Sequence, residues 1–159
     1  MSRAEDLAAQ FEAVNAALID AVENCSADQW GSACTAEGWS AAVVAHHVAG
    51  SHEPIARIVQ GIATGTQLPV LTGEMLAAAN AQHAQAFAGV SKEDTLDLLR
   101  SGGTQAGQAV RDLSDAQLDA TATRPLLSAD PISADQAIRL ALIGHPQEHL
   151  DSFNAAASD

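Results

Sequence analysis

The sequence predicts an all-α protein: an antiparallel four-helix bundle with short extra helical segments, in a single domain over residues 1–159. Three observations support this fold class. Ala and Leu are abundant while aromatic residues make up only 3% of the chain, and such a composition favours helices over sheets. Apolar residues recur at helical spacings in several long segments, and no alternating strand pattern is found. The connections between these segments are short, as in antiparallel bundles.

The first helix is predicted from about Arg3 to about Glu23. Ser2 and Glu5 have the spacing of a capping box, in which two side chains satisfy free N–H groups at a helix start. Apolar side chains then recur every three or four residues, and we expect this stripe to face the core. Its members are Leu7, Phe11, Val14, Leu18 and Val22.

The second helix follows a connector over residues 26–38. Ser40 is its N-cap, and Trp39 is the apolar residue before the cap that often packs on the helix entry. The helix then covers AAVVAHHVAGSHEPIARIVQGI. Because Pro54 has no N–H to donate to the Gly50 carbonyl, a kink is expected there.

The third helix is predicted from about Glu74 to about Phe87, after a loop over residues 65–73 and with Thr72 as its cap. A fourth helix begins at Ser91 and Asp94. Its inward residues are Leu96, Leu99, Val110 and Leu113. Glycines inside this helix either interrupt it or mark the close approach of a neighbouring helix; they are Gly102, Gly103 and Gly107.

The last helix is predicted from a capping box at Ser133 and Gln136 to about Ala155, after a short helical turn over residues 114–118 and a loop with two prolines. Its inward stripe contains two histidines beside apolar residues. The stripe consists of Ile138, Leu142, His145, His149 and Phe153.

The charge of the chain excludes several classes of partner. The net charge is −13, so phosphate backbones and anionic lipid surfaces would repel the protein. No segment has the ~18 consecutive apolar residues of a membrane span, and the N-terminus has charges where a signal peptide needs an apolar run. We therefore expect a cytoplasmic protein with Cys25 and Cys34 reduced, and a small-molecule substrate rather than nucleic acid or membrane.

Histidines provide the candidate site. His145 and His149 are four residues apart, so they lie about 40° apart around the helix axis and can bind one ion. Such spacing also arises by chance, but an unpartnered imidazole is costly to bury. His47 shares a face with Val43, whereas His46 lies about 100° away. Together, the three histidines form a metal site with an open position, as a catalytic metal requires.

The chain resembles a known family at these residues. The run from Gly38-Trp39-Ser40 to Val43-Val44-Ala45-His46-His47-Val48-Ala49-Gly50 is similar to the "GWS…VxAHxAG" motif of the DinB-like superfamily, nearest the mycothiol-dependent maleylpyruvate isomerase N-terminal-like proteins. In that motif, the metal-binding histidine falls eight residues after the tryptophan, which is His47 and not His46. The two other ligands of the family come from an HxxxH in the last bundle helix, which matches His145 and His149.

The resemblance implies a four-helix bundle, often dimeric, with a divalent metal ion such as Zn or Ni on three histidines. It also implies a transferase or isomerase that uses a low-molecular-weight thiol such as mycothiol. A hydrolase is a variant of this hypothesis. The alternative is a bundle that binds or senses a small molecule and has a vestigial or empty metal site. A homodimer is expected from the family and from an apolar helix face left over once the core is filled.

Pro146 departs from the family pattern. It removes the hydrogen bond to the Leu142 carbonyl and disfavours helical geometry at His145. If the helix only kinks, the site persists with altered geometry; if the helix breaks, His145 moves off the metal.

Other polar residues are weaker candidates. Glu148 lies three residues after His145 and is interpreted as a fourth ligand, an acceptor for an imidazole N–H, a general base, or a solvated side chain. Ser51 is interpreted as a pocket-lining residue or as a small residue at a helix contact, and His52 and Glu53 as residues at the pocket rim or in solvent. His83 and Asn80 either point into the bundle near the metal or have no function. Arg57 and Arg139 either hold an anionic substrate or form ordinary surface ion pairs.

Overall fold

The computed structural model describes residues 1–157, and helices dominate it. The bundle consists of α1 (Arg3–Asn24), α3 (Ala41–Thr64), α5 (Lys92–Arg111) and a last helix made of α7 (Ala134–Ala137), a π-helical segment (Ile138–Gly144) and α8 (His145–Ala157). The peripheral helices are α2 (Ala27–Gly31), α4 (Gly73–Ala86) and α6 (Asp115–Asp119). Both α1 and α3 pack along α5, and α8 packs on α3. None of the helices within residues 1–157 has the length and hydrophobicity that a membrane crossing requires.

The helix starts follow the sequence prediction closely. Ser2 and Glu5 form the predicted capping box of α1, and Ser133 and Gln136 form that of α7. Ser40 accepts a hydrogen bond at the start of α3; Thr72 and Ser91 do the same for α4 and α5. The α3 helix continues as an α-helix through Pro54 to Thr64, so the proline does not end it.

Two very short strand pairs were not predicted. Ala33–Cys34 pairs with Trp39–Ser40 (β1 and β2), and Thr121–Ala122 pairs with Ile132–Ser133 (β3 and β4), both antiparallel. Strands of two residues are too short for an alternating pattern to be visible in the sequence. The first pair matters for the site, because its turn contains Glu37 and ends at Gly38, whose φ of 71° a residue with a side chain rarely adopts.

Most apolar residues of the predicted stripes are buried, as expected, and two of them are only half-buried. Leu7, Phe11, Leu18 and Val22 of α1 are fully buried, but Val14 is half-buried and Asn15 takes its place in the core. In α5, Leu96 is also only half-buried, whereas its predicted companions Leu99, Val110 and Leu113 are buried.

None of the three glycines of α5 interrupts the helix, and two of them lie at close contacts with α1. A Cβ at Gly103 would lie 2.1 Å from Asn15 Nδ2, and one at Gly107 would lie 2.5 Å from Glu12 Oε1. Gly102 faces Ala49 and His52 of α3 at ordinary contact distance. Of the two predicted roles, close approach is therefore the correct one for Gly103 and Gly107.

The last helix accommodates Pro146 by a change of winding. The N–H of His145 donates to the Leu140 carbonyl, five residues earlier, as in a π-helix. With this wider turn, the Leu142 carbonyl no longer lies directly one turn before the proline ring, where an α-helix would bring the two into collision. The helix therefore stays continuous into α8, and of the two outcomes considered for Pro146 the structure shows the one in which His145 stays beside the other histidines.

Candidate metal centre

Three imidazoles from two helices converge on one point. His47 of α3 lies with its Nε2 atom 3.2 Å from His145 Nε2, and His149 Nε2 lies 3.1 Å from the same atom. The three nitrogens all lie within 4.8 Å of one another, and all three side chains are half-buried. The structure thus brings together the three histidines that the sequence predicted as ligands, and it leaves His46 out of the group.

The spacing of these nitrogens fits a divalent metal ion. Two imidazole nitrogens bound to zinc at 2.0–2.1 Å lie about 2.9 Å apart at a right angle and about 3.3 Å apart at the tetrahedral angle. The observed separations of 3.2 and 3.1 Å fall between these limits. Three nitrogen donors also leave coordination positions for a further ligand, which is the arrangement of a catalytic rather than a structural site.

Two of the three histidines are kept in the form that binds metal. Burial and, second, the neighbouring His145 and His149 rings lower the pKa of His47 to about 3. Burial, followed by the effect of His149, lowers the pKa of His145 to about 4. Both rings are therefore neutral at pH 7, and a neutral imidazole has the lone pair that a metal ion requires.

Glu37 orients one of the three rings, and nothing in the sequence pattern predicted this role. Its Oε1 atom accepts a hydrogen bond from His149 Nδ1 at 2.8 Å, and its Oε2 atom accepts one from the Ser152 hydroxyl at 2.6 Å. A carboxylate that accepts a hydrogen bond from Nδ1–H keeps the proton on that nitrogen and leaves Nε2 as the metal-binding atom. The short β1–β2 pair brings Glu37 to α8 although 112 positions separate it from His149.

His145 differs from His149 in this respect. Its Nδ1 atom is buried and has no hydrogen-bond partner within residues 1–157. Since its Nε2 atom faces the two other imidazoles, Nδ1 is the nitrogen that carries the proton when His145 binds a metal.

Aromatic rings pack around His47. Trp39 packs against the His47 ring at 5.3 Å between ring centres, and His83 of α4 does so at 5.6 Å. His83 also lies within hydrogen-bond distance of the buried His46, and Phe87 stacks on His46 at 3.9 Å. His83 therefore lies beside one of the three histidines, and a role for it at a metal stays a prediction.

Several predicted candidates lie elsewhere. Glu148 is exposed on α8 and does not belong to the histidine group, so its role as a general base stays a prediction. Glu53 is exposed and forms an ion pair with Arg57, and Arg139 forms one with Asp135. The Ser51 hydroxyl donates to the backbone of its own helix, and Asn80 is half-buried on α4.

The expectation that His52 stands at the pocket rim or in solvent is wrong. Its side chain is fully buried, with Nε2 2.9 Å from Asn15 Oδ1 and the ring packed edge-on against Phe11. The Glu53–Pro54 segment is exposed, so the helix turns from a buried to a solvated face directly after His52.

The two cysteines are free and buried, as predicted. Burial raises the pKa of the Cys34 thiol, the negative charge of Glu37 adds to this, and a hydrogen bond with Ser152 opposes it. A raised pKa keeps the thiol protonated at neutral pH and hence unreactive.

Comparison with solved structures agrees with the observed fold. YfiT from Bacillus subtilis, described as a probable metal-dependent hydrolase with an unusual four-helix bundle topology, has a TM-score of 0.79 and 19% identity over 99% of this chain and 89% of that one. A variant of the mycothiol-dependent maleylpyruvate isomerase has a TM-score of 0.75 and 12% identity; the match covers 96% of this chain and 61% of that one. At these identities the likenesses establish the fold, and the four-helix bundle is confirmed.

No curated protein gives a significant match to the sequence. The match to the DinB superfamily, in contrast, extends over residues 10–152 and so covers most of the chain. This protein therefore belongs to the DinB superfamily.

Proposed function

We propose that this protein is a divalent-metal-dependent enzyme that uses a low-molecular-weight thiol, such as mycothiol, in a transferase or isomerase reaction on a small molecule. The observation that carries the proposal is the convergence of three Nε2 atoms at metal-ligand spacing from His47, His145 and His149. The use of a thiol is supported by one protein of similar fold, which is described as a mycothiol-dependent isomerase.

The residues of this chain prepare the site for such an ion. Burial keeps His47 and His145 neutral, and the Glu37 carboxylate directs the Nε2 atom of His149 toward the other two nitrogens. A divalent ion with three neutral ligands keeps its full charge, and when bound it supplies a Lewis acid that lowers the pKa of a coordinated thiol or water. Zn or Ni is the proposed ion, since imidazole ligands suit both.

The proposal is tested first by metal content. Protein purified without a His tag or added metal is analysed by mass spectrometry beside the His47→Ala and His149→Ala variants. We expect about one equivalent of a divalent ion in the parent protein and its loss in both variants. Stoichiometric metal that persists in both variants would contradict the site assignment.

The type of reaction is tested on the metal-loaded protein. Transfer of mycothiol or a related thiol to electrophilic substrates is assayed beside hydrolysis of amides and esters, the reaction class that the description of YfiT suggests. Thiol consumption that disappears with the metal supports the proposal. Metal-dependent hydrolysis without a thiol requirement supports the hydrolase variant, and a protein that binds no ion even after reconstitution supports the small-molecule binding or sensing alternative.

We also propose that the protein acts as a cytoplasmic homodimer. Large exposed apolar side chains concentrate in and beside α4, a helix of 14 residues without a single buried one. They are Val70, Leu71, Met75, Leu76 and Phe87. A second copy of the chain would cover this face.

A further inference from the structure

A second buried polar group lies in the core of the bundle. His52 of α3 has 0% exposure, and its Nε2 atom lies 2.9 Å from the side-chain oxygen of Asn15 in α1. Asn15 is itself buried, and its amide nitrogen donates to the Leu99 carbonyl at 3.0 Å. The absent side chain of Gly103 provides the space that the Asn15 amide occupies.

The protons in this group can be assigned from its contacts. A backbone carbonyl only accepts, so the Leu99 carbonyl fixes the Asn15 amide with its nitrogen toward α5 and its oxygen toward His52. His52 Nε2 must therefore be the donor in the contact with Asn15. Because burial and, second, the nearby His145 lower the pKa of His52 to about 4, the ring is neutral and Nδ1 is an acceptor. This Nδ1 atom is buried and has no partner in the described part of the chain.

His145 presents the complementary group. Its Nδ1 atom is also buried and without a partner within residues 1–157, and it is a donor when Nε2 binds a metal. The bundle interior thus contains one unpartnered donor and one unpartnered acceptor within residues 1–157. The Cδ2 edge of the His52 ring faces Gly102 of α5, so Nδ1, on the opposite edge, faces away from α5. The helix that contains His145 packs on α3 as well. Buried polar groups of this kind are commonly satisfied by an internal water molecule.

We propose that Asn15 and His52 position His145 for metal binding through one buried water molecule, which accepts a hydrogen bond from His145 Nδ1 and donates one to His52 Nδ1. The inference rests on the proposed function, because it takes His145 as a metal ligand. The water then does for His145 what the Glu37 carboxylate does for His149, since metal-binding histidines donate their second N–H to a carboxylate, a carbonyl or water. His52 is a positioning residue in this arrangement and does not contact the ion.

Two substitutions of the same residue test the inference. His52→Leu removes the acceptor, whereas His52→Asn places an amide oxygen near the position of Nδ1. We expect the Kd for Zn²⁺ and Co²⁺, measured by competition with a chromophoric chelator, to rise about 10- to 100-fold in His52→Leu. In His52→Asn, the Kd stays within a few-fold of the parent value.

Val110→Ala, a core change in α5, serves as the control for loss of stability alone, and its Kd should not change. A rise in Kd that is equal in all three variants, or equal in the two His52 variants, would overturn the positioning role.

A spectroscopic measurement gives a second readout that does not depend on activity. In ¹⁵N-histidine-labelled protein loaded with Zn²⁺, long-range ¹H–¹⁵N spectra report which ring nitrogen carries the proton. We expect protonated Nε2 and bare Nδ1 in His52, and protonated Nδ1 in His145. A proton on His52 Nδ1 would overturn the inference.

The outcomes separate this inference from the proposed function. A parent protein that binds no metal refutes both. A parent protein that binds metal, with an unchanged Kd in His52→Leu, refutes the inference and leaves the proposed function standing.

Discussion

The Glu37 carboxylate fixes which nitrogen of His149 faces the two other histidines. A free imidazole exchanges its proton between two nitrogens, and only the tautomer with a proton on Nδ1 offers Nε2 to an ion. Glu37 selects this tautomer through its 2.8 Å contact, and the Ser152 hydroxyl fixes the carboxylate in turn. The orientation of His149 therefore depends on Glu37 and Ser152, which do not belong to the group of three histidines.

We expect Glu37→Ala to weaken metal binding about 10- to 100-fold, because His149 loses the acceptor that orients it. Ser152→Ala should have a smaller effect, since Glu37 keeps its contact with His149. Glu148→Ala is the matched control: Glu148 is an exposed carboxylate on the same helix, and its removal should leave the Kd unchanged. Equal losses in Glu37→Ala and Glu148→Ala would show that general negative charge, rather than orientation, matters.

The three histidines that converge in the structure could be predicted from the sequence, but the residues that support them could not. His145 and His149 are one helical turn apart and their spacing is visible locally, while His47 lies in the family motif. Glu37 and Asn15 act on residues 112 and 37 positions away, and no periodicity relates such pairs. The apolar period even favoured Val14 over Asn15 as the inward residue of α1, since a stripe of hydrophobic residues gives no weight to a buried amide.

At the scale of helices, Gly103 is one of the glycines on which the contact between α1 and α5 depends. A side chain at Gly103 would occupy the place of the Asn15 amide, whose hydrogen bonds to His52 and the Leu99 carbonyl are both buried. The neighbouring Gly102 has its nearest contacts at 3.6 Å, which leaves room for a methyl group.

We expect Gly103→Ala to lower the free energy of unfolding by about 1–3 kcal/mol, because the displaced Asn15 amide leaves buried polar groups unsatisfied. Gly102→Ala in the same helix turn should be neutral or stabilise by up to about 1 kcal/mol, as Gly→Ala does inside helices. Denaturant unfolding of both variants measures the difference. Equal effects would contradict the assigned contact.

The helix boundaries and caps were predictable because they rest on local chemistry, as at Ser2 and Ser133. The π-helical segment, in contrast, could not be predicted from the sequence. A proline at position 146 predicts a lost hydrogen bond, but whether the helix breaks, kinks or widens depends on packing around it. Here Leu142 before Pro146 and Leu150 after it are both buried, so breaking the helix would expose one side of the core.

At the scale of the whole molecule, buried neutral histidines make the fold sensitive to acid. The pKa of His52 is about 4 in the folded protein, against 6.5 for an unperturbed histidine. Below pH 6.5 the unfolded chain takes up a proton that folded His52 does not, so stability is complete above pH 6.5 and is lost as the pH falls toward 4. The lowered pKa values of His47 and His145 also reduce the stability of the folded protein as the pH falls.

The thermal midpoint of the metal-free protein should therefore fall steeply between pH 6.5 and pH 4.5. For His52 alone the loss at pH 5 is about 2 kcal/mol. His52→Asn removes this titration, so its midpoint should fall less over the same range. A parallel pH dependence in both proteins would contradict the assignment of a depressed pKa to His52.

The exposed apolar face at α4 allows the proposed homodimer to be tested. Met75 is 52% exposed and Leu76 is 41% exposed, and glutamate at either position would place charge in a dimer interface. We expect Leu76→Glu to shift sedimentation from dimer to monomer while metal content is kept. Leu126→Glu, at an exposed apolar residue outside α4, is the control and should not change the assembly. A parent protein that sediments as a monomer would contradict the proposed homodimer.

The distribution of the ligands along the chain has a consequence for biosynthesis. His47 and His145 are 98 positions apart along the chain. During translation, His47 therefore emerges long before the helix that contains His145 and His149. An ion can bind all three histidines only after that helix has been synthesised, so it comes from the pool of metals that the folding chain meets at that stage.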